Sequence, residues 1–196
     1  MSKQNKSKKP PKGSVRFSLS LSPEQKSAKQ AILHHPYNFI VGKAGSGKTL
    51  LACQVALDMF FKRMINKIII TRPTVSTEDN GFLPGSEKEK MEQDERIELV
   101  SLAHFRGRTF ENSLVIVDEF QNLTKSQLRM TLGRLGKGST MIFTGDSQQV
   151  DLKDKNYSAI HELPKINNSR YVYKRVLEDN HRHEAIDEVF ALLNGM

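Results

Sequence analysis

The chain has 196 residues, of which 37% are hydrophobic and 27% charged. That length excludes two full motor domains, and the composition is that of a soluble globular domain. No run approaches the roughly 20 apolar residues of a membrane span, and the N-terminus carries no apolar signal stretch; the expectation is a cytoplasmic protein with no membrane partner. The single cysteine, Cys53, excludes an internal disulfide and reads as core packing, and no Cys/His cluster has metal-ligand spacing.

The formal charge of +8 is concentrated at one end. Lys3, Lys6, Lys8, Lys9, Lys12 and Arg16 carry six of the 30 positive charges, so the remainder, 24 basic against 22 acidic residues, is close to neutral. Residues 1–16, rich in Lys, Ser, Pro and Asn, read as a disordered basic tail, and 17–196 as the folded domain. Two uses of the tail stay open: a salt-sensitive hold on RNA or DNA phosphates, or a solubilising terminus.

Taken in chain order, Ser22 and Gln25 form a capping box behind Pro23. From Tyr37 onward short apolar runs alternate with helical segments, the pattern of an α/β fold with a mostly parallel central sheet flanked by helices. Five strands are expected, at 37–41, 67–71, 98–102, 114–118 and 140–144, with a sixth at 170–175. Runs such as Ile68, Ile69, Ile70 and Val115, Ile116, Val117 suit strands buried on both faces.

The first strand runs into Gly42, Lys43, Ala44, Gly45, Ser46, Gly47, Lys48 and Thr49, followed by an apolar helix at 50–64. Strand, glycine-rich loop and helix together are the context of a P-loop. Loop amides and the helix N-terminus face phosphate oxygens, Lys48 reaches the terminal phosphates, and the Thr49 hydroxyl suits magnesium. A phosphorylated ligand and Mg2+ are therefore expected.

Residues 74–93 are polar and broken by Gly81, Pro84 and Gly85, which reads as a long surface excursion. The strand at 114–118 ends in Asp118 and Glu119. Asp118 suits magnesium, usually through water, and Glu119 suits the activation of a water for attack on the terminal phosphate. Thr124 with Gln127 makes a second capping box, Leu123 can staple to Leu128, and Gly136 is the expected stop. Thr144, Gly145 and Asp146 lead to Gln148 and Gln149, either a plain turn or a sensor of the terminal phosphate. A last helix at 183–193 would place Ala185, Ile186, Val189, Phe190 and Leu193 on one apolar stripe.

These stretches, with Thr71-Arg72-Pro73, Gly81 to Gly85, Lys88 to Met91, Arg106 to Thr109, Val117 to Asn122 and Gln149 to Asp151, resemble the PhoH-like family from about Leu19 onward. That family is RecA-like and related to superfamily 1 helicases. The resemblance implies a single RecA-like P-loop ATPase domain, with ATP as its ligand, acting in RNA or single-stranded DNA metabolism. It makes Gln149 rather than Gln148 the phosphate sensor. It also offers Gln25 as an adenine-reading glutamine, a role that uses the same spacing as the capping box.

Compared with the family, the segment after Met91 is short, and the chain reads as a minimal form of the kind carried by bacteriophages. A homo-oligomer, such as a ring, would let a second subunit place an arginine on the terminal phosphate. Arg182 is the first candidate, with Arg106 and Arg108 as runners-up. Arg72, Arg106 and Arg108 are alternatively contacts for a nucleic-acid backbone, with Phe82 and Phe105 as stacking candidates that equally suit packing. Two other functions remain open: a small-molecule kinase using the same loop, and a nucleotide-gated nucleic-acid-binding module with negligible turnover.

Overall fold

A computed structural model describes residues 20–73, 96–181 and 185–186. The basic tail, the excursion at 74–93 with Phe82, Arg182 and most of the last helix lie outside the described residues. Within them, six strands form one parallel sheet in the order β3-β2-β4-β5-β1-β6. The strands are β1 (Tyr37–Gly42), β2 (Lys67–Thr71), β3 (Ile97–Leu99), β4 (Ser113–Val117), β5 (Thr140–Gly145) and β6 (Val172–Leu177). Among the described residues three α-helices with both ends in view accompany them: α1 (Pro23–Ile32), α2 (Lys48–Phe61) and α3 (Lys125–Leu132). The expected α/β architecture is the one observed.

Strand periodicity divides the core in two. Ile40, Ile68, Leu114, Ile116 and Ile142 face α1 and α2, meeting Ala28, Ile32, Leu51, Val55 and Met59. The alternate residues Phe39, Ile69, Val115, Val117, Met141 and Phe143 face Leu128 of α3 and the short 3-10 turns, with Phe105, Phe120 and Ile160. Both faces of β4 and β5 are therefore buried, as the unbroken apolar runs required.

The helix ends follow local chemistry. Ser22 accepts from the Gln25 amide and Gln25 returns the bond, starting α1; Thr124 and Gln127 do the same for α3. Leu123 and Leu128 are buried in the same core, consistent with the staple.

Several boundaries differ from the sequence reading. α2 begins at Lys48, because the phosphate loop closes directly into its first turn, and it stops at Phe61, before the left-handed Arg63. α3 ends on Gly133 rather than Gly136. Gly136 instead packs against the Phe110 carbonyl, 2.6 Å from where a Cβ would stand. The third strand is only three residues, since the chain turns at Ser101 to bury Phe105 against Phe110, ring centroids 4.7 Å apart. The sixth strand starts two residues late, after a turn in which Ser169 accepts from the amides of Tyr171 and Val172.

Candidate functional site

The sheet order brings the exits of β4, β5 and β1 side by side, so the acid pair, Thr144 and the phosphate loop meet at the carboxyl edge. The loop from Gly42 to Gly47 curls back on itself, with the Ser46 amide donating to the Lys43 carbonyl at 3.2 Å. Gly47, the N-cap of α2, has φ +76, and a Cβ there would stand 2.4 Å from Gln25 Nε2. Only glycine meets both demands. Lys48 is nearly buried, and its ammonium lies inside the loop, donating to the carbonyls of Gly42 at 2.8 Å and Lys43 at 2.9 Å.

Across from the loop, Thr49 Oγ1 donates to Asp118 Oδ1 at 2.9 Å, and Thr144 Oγ1 donates to the same oxygen at 2.5 Å. Two hydroxyls thus hold one carboxylate oxygen beside the start of α2. An all-oxygen set of threonine and aspartate suits magnesium, which keeps most of its ligands as water and phosphate. The glycine-only cradle, the enclosed lysine and these oxygens fit a nucleotide phosphate with its metal.

Glu119 follows in a left-handed conformation, φ +54, which costs a non-glycine residue about 1–2 kcal/mol. Its Oε2 accepts from Gln121 Nε2 at 2.5 Å, and its Oε1 lies 3.7 Å from the exposed guanidinium of Arg72. Phe120 anchors this turn, edge-on to the stacked rings of Phe39 and Phe143. Gln121 is fully buried and joins Glu119 to the turn after β5. Its Nε2 also donates to the Gln149 carbonyl at 2.9 Å, and its Oε1 accepts from the Asp146 amide at 3.1 Å. Asn122 pairs with Asp151 in both directions, at 3.0 and 2.8 Å.

Gln25 is buried and lies against the phosphate loop. Its Nε2 donates to the Ser46 carbonyl at 3.0 Å while its Oε1 accepts from the Ser22 amide. One side-chain amide therefore caps α1 and braces the loop. Glu24 accepts from the amides of Glu178 and Asp179 and pairs with Arg175, and the His181 amide donates to Gly45. The exit of β6 is thereby strapped to the same loop. A cleft of about 430 Å3 adjoins the loop, with walls that include Lys43, Ser147 and Gln148. Its walls do not include Lys48, Thr49 or Asp118.

The arginines separate. Arg72 and Arg106 are exposed. Arg108 forms a two-pronged pair with Glu98, at 2.7 and 3.0 Å, and lies over the Phe110 ring. The hydrogen bonds from Arg108 hold the Glu98 carboxyl below its ordinary value, and Glu98 in turn raises that of Arg108. Phe105 is fully buried and cannot stack on a nucleic acid. Cys53 is half-buried against the core, and burial, with Asp118 adding to it, pushes its thiol up. Gln149 is exposed, whereas the roles of Thr144 and Gln121 escaped the sequence reading, because nothing in their spacing shows which distant atoms they meet.

A glycine cradle, an enclosed lysine, and a threonine–aspartate pair at the carboxyl edge of a parallel sheet define a P-loop domain. The family model described as PhoH-like protein matches residues 19–93 and 89–194, and the chain belongs to that family. A PhoH-like protein of Synechocystis sp. is 39% identical over 155 residues, covering 67% of this chain and 47% of its own. One from Mycobacterium leprae is 34% identical over 193 residues, covering 84% of this chain and 55% of its own. The chain thus spans about half the length of these curated relatives. Among solved structures, a Pif1 helicase described as unwinding forked duplex DNA is similar in fold at TM-score 0.51 and 17% identity, covering 90% of this chain and 48% of its own. A Bacteroides Pif1 described as bound to single-stranded DNA is similar at TM-score 0.50 and 16% identity, covering 90% of this chain and 46% of its own. Among the described residues no helix is long and apolar enough to cross a membrane.

Proposed function

We propose that the chain is a magnesium-dependent ATPase whose turnover is tied to RNA or single-stranded DNA. The observation that best supports this is the meeting of Lys48, Thr49, Asp118 and Glu119 at one sheet edge, where Thr49 and Asp118 touch at 2.9 Å. In this reading the amides of residues 42–49 and Lys48 bind the phosphates, and Thr49 and Asp118 hold magnesium. The metal, when bound, supplies positive charge to the phosphate oxygens. Glu119 accepts the proton of the attacking water, and Gln149 reports the terminal phosphate. Gln25 braces the loop and offers its remaining capacity to the base.

Arg72 supports the nucleic-acid side of the proposal, since an exposed guanidinium at the end of β2 also pairs with Glu119. A phosphate backbone that engages Arg72 would then act on the residue next to the metal site. Arg106 is the second exposed contact, while Arg108 has Glu98 as its partner. A neighbouring copy of the chain is proposed to supply Arg182 to the terminal phosphate. Light scattering in ATP and magnesium tests this: a monomer that hydrolyses at full rate would refute it.

The function itself is tested by phosphate release from ATP with no added acceptor, with and without single-stranded RNA and DNA. The expected result is release by the parent, stimulated by one nucleic acid, and a roughly 100-fold to 1,000-fold fall in Glu119→Gln with ATP still bound. Release only on addition of a small acceptor would replace this reading with a kinase. ATP-dependent oligonucleotide binding without release would replace it with a gated binding module.

A further inference from the structure

We propose that Gln121 is a positioning residue that aims Glu119 and makes it move with the turn carrying Gln149. The inference rests on the reading of Glu119 as the base that activates water, and it adds a residue to that site.

The case begins with hydrogen-bond capacity. A glutamine amide has two N–H donors and one carbonyl acceptor. At Gln121, Nε2 reaches Glu119 Oε2 at 2.5 Å and the Gln149 carbonyl at 2.9 Å, and Oε1 takes the Asp146 amide at 3.1 Å. Both donors and the carbonyl are used, with none left to solvent, because the residue is fully buried. Its backbone is pinned as well, since the Gln121 carbonyl accepts from Ser158 Oγ at 2.5 Å. The amide is therefore a fixed block, and whatever it touches is held relative to the sheet.

What it touches are the two groups that must act together. Glu119 leaves β4 in a left-handed conformation, and the Gln121 amide holds its carboxylate against that strain. The Gln149 carbonyl and Asp146 amide belong to the turn after β5. A shift of Gln149 toward or away from a bound phosphate pulls on Gln121 Nε2, and the other N–H of the same nitrogen carries the pull to Glu119. Neither glutamate nor leucine makes the same set of contacts. Glutamate would set two carboxylates against each other, and leucine would strand the Asp146 amide and the Gln149 carbonyl without partners.

The experiment compares Gln121→Glu and Gln121→Leu in the parent and in a Glu119→Ala background. ATP turnover, binding of a fluorescent ATP analogue and melting temperature are read for each. Gln121→Glu keeps the acceptor for Asp146 and is the variant more apt to fold. Its kcat is expected to fall about 10-fold to 100-fold, the scale of a misplaced catalytic group, with affinity for the analogue within threefold of the parent. In Glu119→Ala the Gln121→Glu substitution lowers residual turnover no further, since Gln121 acts through the side chain already removed. A parental kcat in Gln121→Glu, or full multiplication of the two losses, overturns the proposal.

A second readout is independent of turnover. In the NMR spectrum of the parent, the two Gln121 Nε2 protons are expected to be slow to exchange, and one of them to move in Glu119→Ala. Fast-exchanging signals unmoved by Glu119→Ala also overturn it. If the parent releases no phosphate at all while these protons behave as expected, the ATPase reading falls and the linkage stands.

Discussion

The two halves of the site are held by different means. The phosphate loop is shaped by backbone: glycines at positive φ, a lysine donating to carbonyls five and six residues away, and a helix that starts where the loop ends. The acid half is shaped by side chains whose partners are distant in sequence. Thr144 and Asp118 are 26 residues apart, Gln121 and Gln149 are 28, and Ser158 and Gln121 are 37. A backbone-built cradle tolerates change in its surroundings but not in its glycines. A side-chain lattice fails at whichever member is lost, because each buried polar group then lacks a partner.

The largest effect that separates the halves is expected at Gly47. An alanine there must adopt φ +76 and displace the buried Gln25 amide, so Gly47→Ala should weaken ATP binding more than 100-fold by turning loop amides away from the phosphates. Equilibrium binding of a labelled ATP analogue reads this. Binding within a few-fold of the parent would show that the cradle is not glycine-built.

Gly145 is the matching test of the acid half. A Cβ there would stand 2.7 Å from the Phe120 ring and 2.8 Å from Gln121 Oε1, both fully buried. Gly145→Ala should cost about 1–3 kcal/mol of stability by overpacking. It should also lower turnover more than nucleotide affinity, which chemical denaturation and steady-state kinetics together resolve.

A smaller effect concerns the Glu98, Lys67 and Arg108 cluster that ties β3 to the loop before β4. The Glu98 carboxyl is held below its ordinary value, chiefly by the Arg108 hydrogen bonds. Its contribution is therefore present above the unfolded carboxylate pKa of about 4.3 and is lost as pH falls through the lower folded value. The pair is partly exposed, so Glu98→Gln should cost about 0.5–1 kcal/mol at pH 7, with the gap to the parent closing in acid. Thermal melts across pH would reveal a constant gap if the pair contributes nothing.

The smallest change is expected from Arg72→Ala. Loss of one phosphate contact should reduce the salt dependence of oligonucleotide binding by about one unit of slope, with little effect on melting temperature. An unchanged slope would remove Arg72 from the nucleic-acid interface.

The same contrast explains what could be read from sequence. The glycine-rich loop, its flanking strand and helix, and the acids that follow β4 were legible because each is a contiguous pattern whose spacing carries its chemistry. Both capping boxes were legible for the same reason. The links from Gln121 to Gln149 and from Thr144 to Asp118 were not, since they depend on β4 and β5 lying side by side. Arg108 looked free for phosphate because Glu98, ten residues away, becomes its partner only once the chain turns back at Phe105. The third strand looked longer because Val100 and Leu102 are apolar, although Val100 is buried beyond the strand's end and Leu102 opens a 3-10 turn.

The central claim is that Lys48, Thr49 and Asp118 together hold a nucleoside triphosphate with magnesium. Isothermal titration calorimetry of ATP into the folded chain with magnesium measures it directly. The account predicts uptake of one ATP per chain, weakened when magnesium is chelated and abolished in Lys48→Ala. Folded parent that takes up no ATP, or Lys48→Ala that binds as the parent does, would contradict it.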